Sequence, residues 1–317
     1  MNIACQVCHG DGLEVVLDLG LQPSTERLLE PFELGDDEPK YPLRLGFCPR
    51  CRLAQRADQA PQANVESTSL PPSPSDPSQT RELQRFLSGL KGALQPWGAA
   101  VVHFPDVTAW GPGRLIEALA SRQNLMLTVA FLQQALHQQG LEAFQVEQCP
   151  AEPGLIRVFI GPPGDYPVGD SVAHQTALEN ERGLGTRAFW SALAQEVQAS
   201  RDALLSQIRE IRDAGQRLCG YGTSPAGQLL LNHGGLGREG FDALDFVIDP
   251  TGRSAGRITP GSHLPILPVE ELEKRFIKVV LLLDSRLEAE ALARTESWRA
   301  QGGRILNPWV RKKVQIA

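Results

Sequence analysis

The stretch RLCGYGTSPAGQLLLN, residues 217–232, decides the fold of this chain. Its apolar start, paired glycines and apolar end predict a strand, a tight turn and a helix. Gly220 and Gly222 allow the backbone to turn sharply and to approach a ligand closely. Ser224 is suited to cap the helix, and Pro225 to occupy its first position. This arrangement directs free backbone N–H groups towards an anion.

The glycine turn has two interpretations. A dinucleotide-binding fingerprint needs a third glycine where Pro225 stands, so the motif alone is weak evidence for NAD. The turn at 220–224 either binds a phosphate or nucleotide, with Tyr221 and Thr223 contributing, or it is an ordinary turn of a doubly wound domain. Tyr221 is expected either to stack on a base or to pack in the core.

Strands and helices are predicted to alternate after this stretch. The expected strands are 217–221, 243–248, 277–283 and 303–306. The expected helices are 225–232, 269–275 and 286–300, after a long helix that ends at Gly215. Such alternation predicts an α/β fold with a doubly wound parallel sheet. Asp249, after the second strand, is expected either to bind a ribose hydroxyl or to cap the turn that follows.

Composition and charge exclude several partners. The 317 residues carry a net charge of −6, and no basic block is interleaved with aromatic residues, so we expect no nucleic acid or anionic membrane partner. The start of the sequence, 1–5, lacks the pattern of a signal peptide, and no apolar run approaches the length of a membrane span. We therefore expect a cytoplasmic protein whose six cysteines are thiols or metal ligands rather than disulfides.

Two Cys-x-x-Cys pairs of identical spacing are the most specific chemical signal in the sequence. Cys5 and Cys8 form the first pair, and Cys48 and Cys51 the second. Each pair can place two thiolates on one tetrahedral Zn²⁺ ion, and a closed Cys₄ set leaves no position for a substrate. The sequence therefore predicts a structural zinc site in a small β-rich module.

The remaining segments complete a division into four parts. Residues 57–82 are rich in Pro and Ser and predict a linker. Residues 83–165 contain helical patterns near 83–94 and 128–139, with strands near 99–104, 141–146 and 155–160. The expected division is a zinc module at 1–56, the linker, a middle α/β segment at 83–165 and a Rossmann-like domain at 166–317.

Several motifs at both ends resemble the zinc- and S-adenosylmethionine-dependent sugar C-methyltransferases. At the N-terminus these are the four cysteines with LGLQP at 19–23, YPL at 41–43 and CRLAQ at 51–55. At the C-terminus they are GYG at 220–222, LLN at 230–232, Asp249 and GRITPGSHLPI at 256–266. The middle segment resembles the tail of that family's methyltransferase domain through LQPWG at 94–98, GL at 140–141 and LIRV at 155–158.

The resemblance implies an enzyme of three parts that methylates a sugar carbon next to a keto group. These parts are a zinc module, a cofactor-binding domain and a C-terminal domain that helps to hold a nucleotide-linked deoxysugar. By that resemblance, Arg257 and His263 are candidate contacts of the nucleotide-linked sugar, together with the glycine turn and Asp249.

The chain departs from the family pattern where the chemistry should be. The interval 55–83 is too short for the strand-helix units of a cofactor site, at roughly 30 residues per unit. The family's Tyr-x-Glu-His cluster, which includes its proposed base, falls on ASRQ at 120–123, where no side chain is a suitable base near neutral pH. The family's basic residue near Ala226, its Asn near Gln228 and its Trp-Asn pair at 285–286 are also missing, although Arg253, Arg257 and Arg286 offer other cations.

These observations favour a catalytically inactive homologue that acts as a binding, scaffold or assembly protein, with zinc but without S-adenosylmethionine. No catalytic residue is assigned. We expect weak binding of a nucleotide-linked sugar, and a protein partner or a second copy covering the truncated sheet. Two enzymatic alternatives stay open: a methyltransferase completed by another chain, or a nucleotide-dependent enzyme, such as a dehydrogenase, that uses the C-terminal domain.

Overall fold

A computed structural model describes residues 3–25, 27–57, 76–79, 82–121, 123–238 and 243–309. Most of the predicted linker, at 58–75 and 80–81, lies outside these residues, as does Arg122. The fold is mixed α/β, as the sequence predicts. None of the helices within the described ranges combines the length and apolarity needed to cross a membrane.

The described residues form the following strands and α-helices. The strands are β1 (Glu14–Pro23), β2 (Lys40–Cys48), β3 (Leu53–Arg56), β4 (Ala100–Pro105), β5 (Leu125–Met126), β6 (Glu142–Gln148), β7 (Leu155–Gly161), β8 (Leu218–Tyr221), β9 (Val247–Ile248), β10 (Ile266–Leu267), β11 (Val279–Leu282) and β12 (Arg304–Leu306). The helices are α1 (Leu83–Ala93), α2 (Pro112–Ala120), α3 (Val129–Gln138), α4 (Asp170–Arg182), α5 (Arg187–Asp213), α6 (Pro225–Gly234), α7 (Glu271–Lys274), α8 (Glu288–Arg294) and α9 (Glu296–Ala300).

These elements belong to two compact units. The first contains the described residues of Met1–Asp18, Leu43–Trp110 and Arg122–Ala194. The second contains those of Leu19–Pro42, Gly111–Ser121 and Gln195–Ala317. The four-part division expected from the sequence stays a prediction, and the compact units follow a different division.

In the first unit, the segments that carry the four cysteines share a core with the middle segment. Strands β1, β2, β3 and β5 form one sheet in that order, so the short β5 pairs antiparallel with β3. Strands β4, β7 and β6 form an antiparallel sheet. One core contains Cys5 and Cys48 together with apolar residues of α1, α3 and all three strands of this second sheet. The cysteine-bearing segments and the middle segment therefore belong to one compact unit.

The second unit contains the predicted parallel sheet. Its strand order is β10-β9-β8-β11-β12, and all its pairs are parallel. Every residue of β8 and β11 is buried, as expected for central strands covered on both faces. Since β8 pairs on one side with β9 and on the other with β11, the strand order reverses between β8 and β11. Ligands of doubly wound folds bind beside such a reversal, outside the carboxyl ends of the strands.

Several elements of the second unit differ from the sequence prediction: α2 was not predicted, and β9 has two residues where a strand at 243–248 was expected. The strand β10 was not predicted, because its two residues lie between Pro265 and Pro268, which disfavour a long strand. The helix predicted at 286–300 is divided into α8 and α9 at Thr295. The Thr295 hydroxyl donates to the carbonyl oxygen of Ala291 at 2.6 Å, a contact that often bends helices.

Candidate functional site

The four predicted metal ligands lie together in the first unit. The Sγ atoms of Cys5, Cys8, Cys48 and Cys51 all lie within 4.8 Å of one another. The Sγ–Sγ distance is 3.6 Å between Cys5 and Cys51 and also between Cys8 and Cys48. Four sulfurs at about 2.3 Å from a tetrahedral Zn²⁺ ion would be about 3.8 Å apart. The spacing of the cluster therefore fits zinc.

The two cysteine pairs adopt the same turn. The residue after each pair has a left-handed backbone, with φ 52° at His9 and 60° at Arg52. The His9 N–H donates to the carbonyl oxygen of Cys5 at 3.1 Å, and the Arg52 N–H donates to that of Cys48 at 2.8 Å. Each turn brings its two thiols to one side, which is why an identical spacing in sequence gives a matched pair of ligands.

The crowding of the sulfurs also favours a cation. The hydrogen bond from Cys51 lowers the pKa of Cys5 to about 4, and the same contact raises the pKa of Cys51. Burial raises the pKa of Cys8, and the neighbouring cysteines raise it further. The raised pKa values of Cys8 and Cys51 disfavour their ionisation beside the other sulfurs unless a positive charge lies between them. A zinc ion supplies that charge and binds the thiolate form.

The glycine turn of the second unit lies at the carboxyl end of β8, beside the reversal of strand order. Ser224 caps α6 as predicted, and its Oγ accepts the Gly227 N–H at 3.2 Å. Gly222 has φ 105°, which only glycine adopts without strain. Thr223 is half-buried in the turn. This geometry leaves the first turn of α6 able to receive an anion.

Close packing explains two glycines of this region. A Cβ atom on Gly220 would lie 2.6 Å from Cδ1 of Leu283. A Cβ atom on Gly227 would lie 2.7 Å from both Cβ and the carbonyl oxygen of Leu283. Gly227 therefore permits the close approach of helix to strand for which the fingerprint uses its third glycine. The spacing of the motif did not predict this role, because Gly227 stands two positions beyond the expected third glycine.

Tyr221 packs in the core. Its side chain is fully buried in a cluster with Phe246, which directly precedes β9, Ile248 of β9 and Trp298 of α9. Burial raises its pKa to about 12. Of the two roles expected for Tyr221, the structure shows packing in the core. Stacking on a base would require the ring to leave the core.

Asp249 caps the turn after β9. Its carboxylate accepts the Ser254 N–H at 2.7 Å, the Thr251 N–H at 2.9 Å and the Thr251 hydroxyl at 2.8 Å. Burial alone would raise the pKa of Asp249, but the hydrogen bonds from Ser254 and Thr251 outweigh it and lower the pKa overall. The turn-capping role therefore describes the structure, and a contact with a ribose stays a prediction.

We expect Asp249→Asn to destabilise the second unit by about 1–3 kcal/mol at neutral pH, because the amide replaces one accepting oxygen with a donor. A carboxylate whose pKa is lower when folded contributes stability above its unfolded pKa, and that contribution is lost as the pH falls. The free energy of unfolding, measured between pH 7 and pH 3, should therefore show a difference that shrinks below about pH 4. An equal difference at every pH would contradict the ionised cap.

The other two predicted contacts face acidic partners. Arg257 Nε lies 3.1 Å from Oε1 of Glu30. His263 Nε2 lies 3.2 Å from Oε2 of Glu38, which also accepts the Gly261 N–H at 2.9 Å. The guanidinium of Arg257 and the imidazole of His263 therefore each have a carboxylate partner. Their contact with a nucleotide stays a prediction.

Two further groups near the glycine turn were not among the predicted site residues. Gln228 lies on the first turns of α6 and is almost fully buried, and neither side-chain polar atom has a partner among the described residues. Asp284 follows β11 and accepts Nε and Nη2 of Arg286 at 3.0 and 2.8 Å. A Cβ atom on Gly222 would lie 3.4 Å from Cβ of Asp284, so the two loops meet. Asp284 could have been predicted as a candidate residue, because it is an acidic residue that follows the buried strand β11.

Comparison with known proteins gives two family matches and one relative. Residues 150–309 match the family model of the C-methyltransferase C-terminal domain, and residues 5–65 match a “putative zinc binding domain”. The chain is 24% identical over 228 residues to C-methyltransferase NovU of Streptomyces niveus. The aligned region is 72% of this chain and 54% of NovU, so the chain spans about half the length of this curated relative.

These matches agree with the geometry at both ends of the chain. The zinc-binding match includes all four clustered cysteines, and the C-terminal match includes the whole parallel sheet of β8 to β12. The C-terminal match alone covers half of the 317 residues. This chain, as its sequence motifs predicted, belongs to the C-methyltransferase family.

Proposed function

We propose that this chain is a catalytically inactive member of its family that acts as a binding or scaffold protein and retains weak affinity for a nucleotide-linked sugar. The observation that carries the proposal is the short interval between β3 and α1. Only residues 57–82 separate these elements, and a single strand-helix-strand unit needs about 30 residues or more. A separate cofactor-binding sheet has no room there.

The residues at the position of the family's proposed base support the same proposal. Ala120 ends α2, and the Ser121 hydroxyl donates to the carbonyl oxygen of Ala118 at 2.8 Å. Gln123 is buried and donates to the carbonyl oxygen of Leu125 at 3.4 Å. None of these described side chains is a base near neutral pH.

The crevice between the ends of β8 and β11 is the proposed sugar-nucleotide site. In the first turn of α6, Pro225 has no N–H and Ser224 accepts those of Gly227 and Gln228, so Ala226 supplies the N–H group for an anion. The buried side chain of Gln228 adds polar atoms that lack described partners. The side chain of Arg286 is 76% exposed beside this crevice while it remains paired with Asp284. A diphosphate would find a helix N-terminus and a cation at the same edge of the sheet.

Isothermal calorimetry of the zinc-loaded chain tests the proposal. We expect no binding of S-adenosylmethionine or S-adenosylhomocysteine, and weak binding of a thymidine diphosphate sugar. Binding of either sulfur compound would contradict the inactive assignment and favour the methyltransferase alternative. Absence of nucleotide binding would remove the sugar-binding part of the proposal.

Opposite charges at Ala226 should change nucleotide binding in opposite directions. Ala226 is half-buried in the first turn of α6, where the family usually carries a basic residue. We expect Ala226→Lys to tighten binding of the thymidine diphosphate sugar about tenfold, since a charge-assisted hydrogen bond is worth roughly 1.5–3 kcal/mol. Ala226→Glu should weaken it, and thermal unfolding of both variants should confirm that they fold. Equal affinities for the two variants would place the nucleotide elsewhere.

A protein partner is part of the same proposal. Strand β4 pairs only with β7 among the described residues, so it forms one edge of its sheet, and its Val101 side chain is 37% exposed. An edge strand that exposes an apolar side chain can pair with another chain. Light scattering coupled to size exclusion distinguishes a dimer of this chain from a monomer that needs a different partner.

A further inference from the structure

One glutamine connects the two halves of the cysteine cluster. Gln55 lies on β3, directly after the second cysteine pair, and its side chain is fully buried. Its Nε2 atom donates to Sγ of Cys5, in the first pair, at 2.9 Å. A side chain from one pair's strand therefore contacts a metal ligand of the other pair.

The other end of the same amide holds the backbone of the first pair. Oε1 of Gln55 accepts the Gln6 N–H at 2.8 Å, within the turn that carries Cys5. These two contacts require opposite ends of the amide, so they fix its orientation. Strand β3 is paired on both sides, with Gly46 of β2 and Leu125 of β5 opposite Gln55. The amide is therefore held in place by its strand before it contacts the sulfur.

We propose that Gln55 is the positioning residue of the zinc centre, setting the place of Cys5 relative to the second pair and hydrogen bonding to its thiolate. Cys5 also accepts weaker contacts from the Val7 and Cys8 N–H groups, at 3.4 and 3.5 Å. Of these three donors to Sγ of Cys5, the Gln55 amide is the one on a side chain, and its distance to the sulfur is the shortest. Groups that orient metal ligands in this way commonly change metal affinity 10- to 100-fold when they are replaced.

Two variants of the full chain separate the roles of the amide. Gln55→Met keeps a similar volume and removes both polar contacts. Gln55→Glu keeps an acceptor for the Gln6 N–H but places an oxygen against Sγ of Cys5. We expect both variants to bind zinc 10- to 100-fold more weakly in competition with a chromogenic chelator, with Glu the weaker binder.

Cobalt substitution gives a readout that general destabilisation would not produce. Loss of the N–H donor leaves the sulfur more electron-rich, so the sulfur-to-Co²⁺ charge-transfer band should move to longer wavelength. The ligand-field bands should remain those of a tetrahedral site, because all four cysteines are retained. Refolding the variants in the presence of Co²⁺ allows the spectrum to be recorded even if the metal-free variants are unstable.

Gln175→Met is the matched control. Gln175 is a second buried glutamine of the first unit, and its Nε2 atom donates to Oδ1 of Asp106 at 3.2 Å. This variant should lose stability without a change in zinc affinity or in the cobalt spectrum. Zinc affinities within twofold of the wild type for both Gln55 variants, with an unmoved charge-transfer band, would overturn the proposal.

Discussion

Cys48→Ser is expected to abolish zinc binding and to unfold the first unit. The Cys48 side chain is 1% exposed and belongs to the core that also contains Cys5 and residues of α1, α3 and β7. Loss of one ligand leaves three closely spaced sulfurs that no longer form a complete tetrahedral zinc site, so no metal ion compensates their negative charge. Structural zinc binding is worth about 10–16 kcal/mol in small zinc domains, as much as the whole stability of a typical protein.

Zinc content and unfolding should be measured on the same samples. Native mass spectrometry should find one zinc per wild-type chain and none in the variant. Thermal unfolding of the wild type with a strong chelator should reproduce the behaviour of Cys48→Ser. Hydrogen exchange should locate the loss of protection in β2, β3 and the sheet of β4, β7 and β6.

Cys149→Ser provides the control for a buried cysteine outside the cluster. Cys149 is also buried in the first unit and lies outside the four-sulfur set. We expect it to retain one zinc and to lose only the modest stability of a buried polar substitution, about 1–3 kcal/mol. A Cys48→Ser chain that kept both its zinc and its unfolding temperature would show that the four sulfurs are not the site.

The zinc ligands could be predicted from sequence because their chemistry is local. Each Cys-x-x-Cys spacing encodes its own turn, and two equal turns suffice for a tetrahedral site. The contact of Gln55 with Cys5 could not be predicted in the same way, because it joins residues 50 positions apart through strand pairing. Strand β5 was missed for the same reason, since two residues acquire strand geometry only from pairing with β3.

The parallel sheet was predictable from its buried strands, but the orientation of its side chains was not. The glycine turn after β8 left Tyr221 open between stacking on a base and packing in the core, and a central strand covered on both faces buries every side chain it carries. The partners of Arg257 and His263 are Glu30 and Glu38, which lie between β1 and β2 and more than 220 residues earlier in the sequence. Such pairings depend on tertiary packing, which the spacing of a motif does not record.

Gly227→Ala is expected to give the second large effect, in the parallel sheet. Gly227 lies in the first turn of α6 with a normal helical backbone, so alanine adds no backbone strain there. Its Cβ atom would lie 2.7 Å from the Leu283 carbonyl oxygen, and backbone of this kind cannot move aside cheaply. The helix must shift away from β11, which should cost about 1–3 kcal/mol of stability.

The same shift should weaken the proposed anion site. Oγ of Ser224 lies 3.3 Å from the Leu283 carbonyl oxygen and also caps α6 through the Gly227 N–H, so displacement of the helix disturbs both contacts. Gly89→Ala is the control, because a Cβ atom there meets nothing within 4 Å in α1. That control should be neutral or stabilising by about 0.5–1 kcal/mol.

Chemical denaturation gives the size of the Gly227→Ala effect, and hydrogen exchange of β8, β11 and α6 gives its place. If the variant lost stability and nucleotide affinity together, the close approach of α6 to β11 would be a requirement of the ligand crevice as well as of the fold. Loss of stability with unchanged affinity would separate the glycine's packing role from any ligand. Stability equal to that of the wild type would contradict the close approach itself. A helix as close to Leu283 as α6 leaves no room for a Cβ atom at position 227 unless β11 or α6 is displaced.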